Sequence, residues 1–174
     1  MFKSIVVAFD GSAHASRALE AGAGLAAQGK CPLGLIYVID RSHMSIPEEM
    51  RKMGEIEHLL EPAPKMVVSL DNAPASMMSS IAQANADSQA AMFHYADYLV
   101  EQAAESARKA GVEQVEVKVA LGDPAEEVVA FARDRAADLI VSGNRGFGKL
   151  KNMLLGSVSH KIAQLAECSC LTMK

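Results

Sequence analysis

The chain has 174 residues, 50% hydrophobic and 22% charged, a composition that suits one packed domain and argues against wholesale disorder. The net charge of −4 argues against nucleic-acid binding through bulk charge, and the longest apolar stretch, residues 33–39, is too short for a membrane span. Three cysteines make no disulfide framework, so we expect a soluble, cytoplasmic protein with a single domain over residues 1–174.

The first forty residues predict a strand–helix–strand unit. Residues 5–9 form a continuous apolar run rich in β-branched side chains, which is typical of a strand buried on both faces. Ser12 is placed to cap a helix that ends at Gly29, and residues 33–39 form a second buried strand closed by Asp40. Such short joints predict a right-handed βαβ unit.

Residues 41 to about 85 break this pattern. The stretch holds four of the six prolines and six of the ten methionines. Because a structureless loop of this length is unusual inside a compact domain, we expect an insertion that is either partly helical or a mobile flap. Methionine packs adaptably, which suits a surface that orders against a ligand or an unidentified protein partner. An insertion without a role is the alternative.

The second half of the chain alternates helices with strands. Charged residues alternate with valines over residues 115–119, which predicts a half-exposed strand at a sheet edge. The expected elements are a helix from the mid-eighties to Ala110, the strand over 115–119, a helix that begins at Asp123 and Pro124, a strand over 138–142, a helix from near Ser157 to about Ala166, and a strand over 170–173. This alternation predicts an α/β fold with a mostly parallel open sheet and helices on both faces.

Two unusual turns follow the first and fourth predicted strands. Asp10 opens the first turn, and a glycine-rich run from Gly143 to Gly148 forms the second. Ligands of parallel sheets bind beyond the carboxyl ends of the strands, so neighbouring strands would direct both turns into one crevice. Glycines let the backbone approach a ligand and adopt positive φ angles, and the helix that begins at Gly156 and Ser157 offers unpaired N–H donors.

The surroundings of the second turn carry positive charge and hydroxyl groups. Residues 141–174 hold five basic residues and one acidic residue. Arg145, Lys149 and Lys151 supply charge near the turn, and the hydroxyls of Ser157 and Ser159 can cap the helix or bond a phosphate oxygen. We therefore predict a polyphosphate cradle. The spacing fits neither a Walker A loop nor a dinucleotide fingerprint.

The spacing Gly143-x2-Gly146-x9-Gly156-Ser157 resembles the nucleotide-binding signature of the universal stress protein family. Other segments resemble the family in the same order along the chain: residues 5–12, 37–40, 122–125, 138–141 and 155–159. The resemblance implies a Rossmann-like fold with a five-stranded parallel sheet in the order 3-2-1-4-5. It also implies ATP as ligand, with or without Mg²⁺, and a homodimer formed through the last strand.

The resemblance further implies roles for individual residues. Asp10 is expected to bond the ribose, the backbone of Ala8 and Phe9 to line the crevice, and the main chain of Val38 to meet adenine. The phosphates and ribose are expected at Gly143, Gly146, Gly156, Ser157 and Val158, with Ser159 in reach and Arg145 adding positive charge.

No catalytic set of residues stands out in the sequence. An ATPase needs a group that orients water and usually a carboxylate for Mg²⁺, and Asp10 and Asp40 are the only candidates near the crevice. We therefore expect a regulatory stress-response protein that binds ATP without efficient catalysis. The alternatives are a slow ATPase or nucleotidyl transferase, and a dimeric stress protein that works without nucleotide.

Overall fold

The computed structural model describes residues 2–40, 75–146 and 156–174, with side chains from residue 90 onward in the second range. The chain divides into two compact units, Met1–Met44 with Ala96–Lys174, and Ser45–Tyr95. In the second unit the described part, from residue 75, is helical. The predicted organisation, one domain over residues 1–174 with an insertion, stays a prediction.

Five parallel strands alternate with four helices in the described part of the chain. The elements are β1 Ile5–Ala8, α1 Ala13–Gly29, β2 Leu33–Asp40, α2 Ala75–Lys109, β3 Val115–Gly122, α3 Pro124–Asp134, β4 Leu139–Gly143, α4 Ser157–Leu165 and β5 Ser169–Met173. The strands form one sheet in the order β3-β2-β1-β4-β5. The α/β fold, the sheet order and the edge position of β3 are confirmed.

The sheet separates two apolar layers because successive strand residues face opposite sides. Ile5 and Val7 are fully buried with α1 and with the part of α2 from Ala96 onward. Val6 and Ile140 are buried on the other side, against α3 and α4. The continuous apolar runs predicted strands covered on both faces, and both faces are covered.

The capping residues of α1 and α3 act as the sequence predicts. The Ser12 hydroxyl accepts a hydrogen bond of 3.2 Å from the Ala15 amide. The Asp123 carboxylate accepts bonds of 3.0 Å from the amides of Ala125 and Glu126. These caps determine where each helix begins and hence where the turns before them lie.

The long helix α2 differs from its prediction. It begins at Ala75, well before the predicted start in the mid-eighties, so the predicted end of the insertion near residue 85 falls inside a helix. Pro74 is the last proline before α2, and no proline or glycine interrupts residues 75–109. The first turns of α2 contain residues that all tolerate a helix, but their apolar periodicity is too weak to predict one. The rest of the predicted insertion, residues 41–74, lies outside the described residues.

No helix in the described ranges is both long enough and apolar enough to cross a membrane.

Candidate functional site

The turns after β1 and β4 leave the same edge of the sheet. The two strands are parallel neighbours, with Val7 opposite Val141. β1 also pairs with β2 on its other side, and the Phe9 amide extends that pairing with a bond of 2.9 Å to the Ile36 carbonyl. Because the strand order reverses at β1, a crevice is expected there at the carboxyl ends of the strands.

Asp10 and Gly146 bring the two turns into contact. One carboxylate oxygen of Asp10, Oδ1, accepts a hydrogen bond of 2.9 Å from the Ser12 amide. The other oxygen, Oδ2, faces Gly146, where a Cβ atom would lie only 2.5 Å away. Asp10 therefore holds its own turn and also lies directly against the glycine-rich turn, as the sequence predicted for neighbouring strands.

Gly143 makes a second close approach, to the first turn of α1. A Cβ atom on Gly143 would lie 2.9 Å from the carbonyl carbon and Cβ of His14, and 3.0 Å from the Ala15 amide nitrogen. These neighbours are mainly backbone atoms, which cannot move aside without shifting the helix. The absence of a side chain at Gly143 thus sets the distance between β4 and α1.

Gly143, Gly146 and Gly156 do not use the freedom of glycine to adopt positive φ angles. Among the described glycines only Gly11 and Gly111 have positive φ, at 84° and 97°. The physical requirement at the second turn is close approach of backbone to neighbouring atoms. Gly148, the remaining glycine of the run, lies outside the described residues.

The N-terminus of α4 has no side chain of its own to cap it. Its N-cap residue is Gly156, with extended backbone (φ −70°, ψ 158°) and no side-chain hydrogen bond, in contrast to the capped starts of α1 and α3. Ser157 and Val158 are exposed, and the first turn holds no acidic residue. The first amides of a helix have no partner within it, so this terminus suits an anion.

Asn144 joins the end of β4 to the start of α4. Its carbonyl oxygen accepts bonds from the Gly156 amide at 2.6 Å and the Ser159 hydroxyl at 3.4 Å, and its amide donates to the Met173 carbonyl at 2.7 Å. Asn144 is 5% exposed, and its Oδ1 has no hydrogen-bond partner among the described residues. Sequence reasoning missed Asn144, because the spacing Gly143-x2-Gly146 leaves the identity of the two residues between the glycines unspecified.

The remaining predicted contacts lie at different depths around the crevice. Phe9 is buried, whereas Ala8 and Val38 are partly buried at the carboxyl-end halves of β1 and β2. Ser159 is 4% exposed, and its hydroxyl also donates to the Gly156 carbonyl at 3.0 Å. That hydroxyl holds the first turn of α4 internally. The ligand contacts of these residues stay predictions.

The basic residues of the segment 141–174 differ in their surroundings. Arg145 is partly buried next to the glycine turn, and Lys149 and Lys151 lie outside the described residues. Lys161 on α4 forms ion pairs of 2.9 Å with Asp123 and Glu126. The hydrogen bonds to these carboxylates raise the pKa of Lys161, and the bond from Lys161 lowers the pKa of Asp123. Lys161 thereby ties α4 to the start of α3.

The whole chain, residues 1–174, matches the model of the Universal stress protein family. The chain belongs to this family. It is similar to the Universal stress protein YxiE of Bacillus subtilis, with 29% identity over 174 residues that cover all of both chains.

Two solved structures share the fold of this universal stress protein. One is a universal stress protein in complex with cAMP, with a TM-score of 0.59 and 20% identity over 99% of this chain and 97% of the other. The second is the universal stress protein from Archaeoglobus fulgidus in complex with dAMP, with a TM-score of 0.58 and 19% identity over 99% of this chain and 98% of the other.

The described part of this universal stress protein offers no ready-made metal centre. No group of three or more His, Cys, Asp or Glu residues is placed there to hold an ion. Around the turns after β1 and β4 lie the Asp10 carboxylate and the uncapped N-terminus of α4, and Arg145 is partly buried within the second turn.

Proposed function

We propose that this universal stress protein binds ATP in the crevice between the turns after β1 and β4. The observation that carries the proposal is the contact of Gly146 with the Asp10 carboxylate beside the uncapped N-terminus of α4. The Asp10 carboxylate accepts hydrogen bonds, and the first backbone amides of α4 donate them. A nucleotide needs both, because its ribose hydroxyls are donors and its phosphate oxygens are acceptors.

The phosphates would be held by the turn after β4 and the first turn of α4. Gly143, Gly146 and Gly156 each lie directly against neighbouring protein atoms, so the absence of their side chains lets this backbone pack closely beside Asp10 and the start of α1. Ser157 and Val158 lie on the exposed first turn, where the helix dipole favours negative charge. Arg145 would add a cation, and any Mg²⁺ would come with the phosphates.

The base and the sugar would lie along the ends of β1 and β2. Asp10 keeps one oxygen on the Ser12 amide, which orients the carboxylate so that it can accept from the ribose. The main chains of Ala8, Phe9 and Val38 would line the adenine. The cAMP and dAMP complexes of the two fold neighbours support an adenine nucleotide as the ligand class.

We propose a regulatory role in which nucleotide occupancy is the signal and hydrolysis is slow. Asp10 already has two tasks, as an acceptor for Ser12 and for the ribose, and is not free to orient a water molecule. The protein would act as a homodimer through β5, because β5 is an edge strand whose Ser169 and Cys170 are exposed.

The experiment is an isothermal titration of nucleotide-free protein with ATP, ADP, AMP and cAMP, together with mass spectrometry of nucleotide extracted from freshly purified protein. We expect ATP to bind with a Kd at or below tens of micromolar. Gly24→Ala is the matched control for glycine variants of the site, because a Cβ there meets nothing within 4 Å. Absence of binding by any adenine nucleotide would refute the proposal.

A further inference from the structure

A separate cavity of about 710 Å³ lies at the end of the sheet where the strands begin, opposite the nucleotide crevice, near the amino ends of β1 and β3 and the end of α3. Lys3, Ser4, Lys118, Phe131 and Arg135 are among the residues that line it. Its volume is in the range of small-molecule sites. It belongs entirely to the unit that contains the sheet and is distinct from the nucleotide crevice.

Because Gly34 on β2 has no side chain, Arg135 and Phe131 pack directly onto the backbone of the sheet. A Cβ atom on Gly34 would lie 2.7 Å from Arg135 Nε and 2.9 Å from Phe131 Cε1. Glycine weakens a strand interior, so its presence there is accounted for by this close approach. The guanidinium of Arg135 is consequently packed onto the sheet, and its side chain is only 13% exposed.

Two cations converge on the ring of Phe131. Lys118 Nζ lies 5.4 Å and Arg135 Cζ 5.3 Å from the ring centroid. Arg135 forms an ion pair with Glu116, whereas Lys118 has no ion pair among the described residues. Two like charges against one ring are stabilised when an anion lies between them, and Lys3 adds a third positive charge to the wall.

Two polar atoms on residues of this wall are buried without a hydrogen-bond partner in the described structure. They are Ser4 Oγ, on a residue 7% exposed, and Arg135 Nε. Ser4 lies two positions before Val6, so its side chain points to the α3 face of the sheet, as do Gly34 and Arg135. Both orphaned groups can donate, and an acceptor that carries negative charge would satisfy both.

We infer that this cavity binds a small oxyanion, either a phosphate or a carboxylate compound, at the same time as nucleotide occupies the crevice. The lining holds three basic residues against two acidic ones, Glu116 and Asp134, whereas residues 1–140 as a whole are acidic. The anion would neutralise Lys118 and Lys3 and accept from Ser4 and Arg135. The domain would then hold two ligand sites, the nucleotide crevice and this cavity, at opposite ends of the strands.

The experiment is an NMR titration of the full-length, ATP-saturated protein with inorganic phosphate in one arm and citrate in the other. We expect saturable shifts at the amides of Ser4, Lys118 and Arg135 and none at Gly146. Lys118→Gln should weaken binding at least 10-fold. Lys109→Gln, at an exposed lysine on α2 with the same loss of charge, should leave it unchanged.

Ser4→Ala provides a second measurement that does not depend on charge. Removal of a buried hydroxyl without a partner should leave the free protein as stable or raise its Tm, while weakening oxyanion binding. Response to one arm alone identifies phosphate or carboxylate as the ligand class. Failure of both arms to saturate, or equal weakening by Lys109→Gln, would overturn the inference. ATP binding measured in the same samples is independent of either result.

Discussion

The contact between Gly146 and Asp10 can be tested by Gly146→Ala. The added Cβ would lie 2.5 Å from Asp10 Oδ2, so the carboxylate must retreat by about 1 Å to restore ordinary contact. Asp10 cannot simply rotate, because its other oxygen accepts from the Ser12 amide at 2.9 Å. The retreat should therefore break that bond or remove the carboxylate from the ribose.

The expected magnitude follows from the loss of one hydrogen bond to a charged group. Such a bond contributes about 1.5–3 kcal/mol. This corresponds to a Kd for ATP that is roughly 10- to 150-fold weaker. The fold should persist, since Gly146 is exposed and its φ angle is negative or extended, which alanine adopts. Isothermal titration gives the Kd, and circular dichroism with thermal unfolding checks the fold.

A double-mutant cycle separates this mechanism from general damage to the turn. If Gly146→Ala acts through the carboxylate, it should cost little further affinity in an Asp10→Ala background, because the displaced group is already absent. Gly24→Ala, on an exposed face of α1, should leave the Kd unchanged. Additive losses in the double variant, or a normal Kd for Gly146→Ala, would refute the reasoning.

Three further predictions concern stability and assembly. Gly22→Ala should destabilise the protein by about 1–3 kcal/mol in urea unfolding, because the added Cβ would lie 2.5 Å from the Val7 side chain on β1. Gly24→Ala on the same helix meets no neighbour and should stabilise the protein by about 0.5–1 kcal/mol. Equal effects of the two substitutions would contradict the packing of α1 against the sheet. Burial acts to raise the pKa of Asp138, but hydrogen bonds from the amides of Lys3 and Ser4 outweigh it and lower that pKa. The ionised Asp138 carboxylate therefore stabilises the fold above its ordinary pKa of 3.8, and this stabilisation is lost as pH falls through the lower pKa of the folded state. Asp138→Asn should therefore flatten the fall in unfolding free energy between about pH 5 and 2. An unchanged pH profile of stability would count against this role of Asp138. Cys170→Lys, on the exposed edge of β5, should convert a dimer to a monomer in sedimentation velocity with ATP binding retained, and a monomeric parent protein would remove the proposed interface.

Much of the fold could be predicted because its signals are local. The apolar runs that became β1, β2 and β4 report burial on both faces, and the caps Ser12 and Asp123 mark where two helices begin. The start of α2 was not predictable in the same way. Its first turns lack both a strong apolar stripe and a breaker, so the pattern did not distinguish a helix from an irregular insertion.

The sequence predicted the residue types of the candidate site and, for neighbouring strands, a shared crevice, but it did not predict the individual contacts. Asp10 and Gly146 are far apart in the chain, and only the pairing of β1 with β4 brings their turns into contact. Asn144 shows the same limit. Its backbone bonds to Gly156 and Met173 depend on how β4, α4 and β5 meet, which spacing does not record.

By itself, the sequence determined which strands are buried, where the capped helices begin, and that two turns contain glycine, because these properties depend on each residue and its near neighbours. Only the tertiary structure decided which distant groups share a space. The register of β2 with β3 and the path of α3 place Lys118, Phe131 and Arg135 around one cavity, where Gly34 lets Arg135 pack onto the sheet. Such encounters depend on strand order and helix packing, which arise only when the whole core forms.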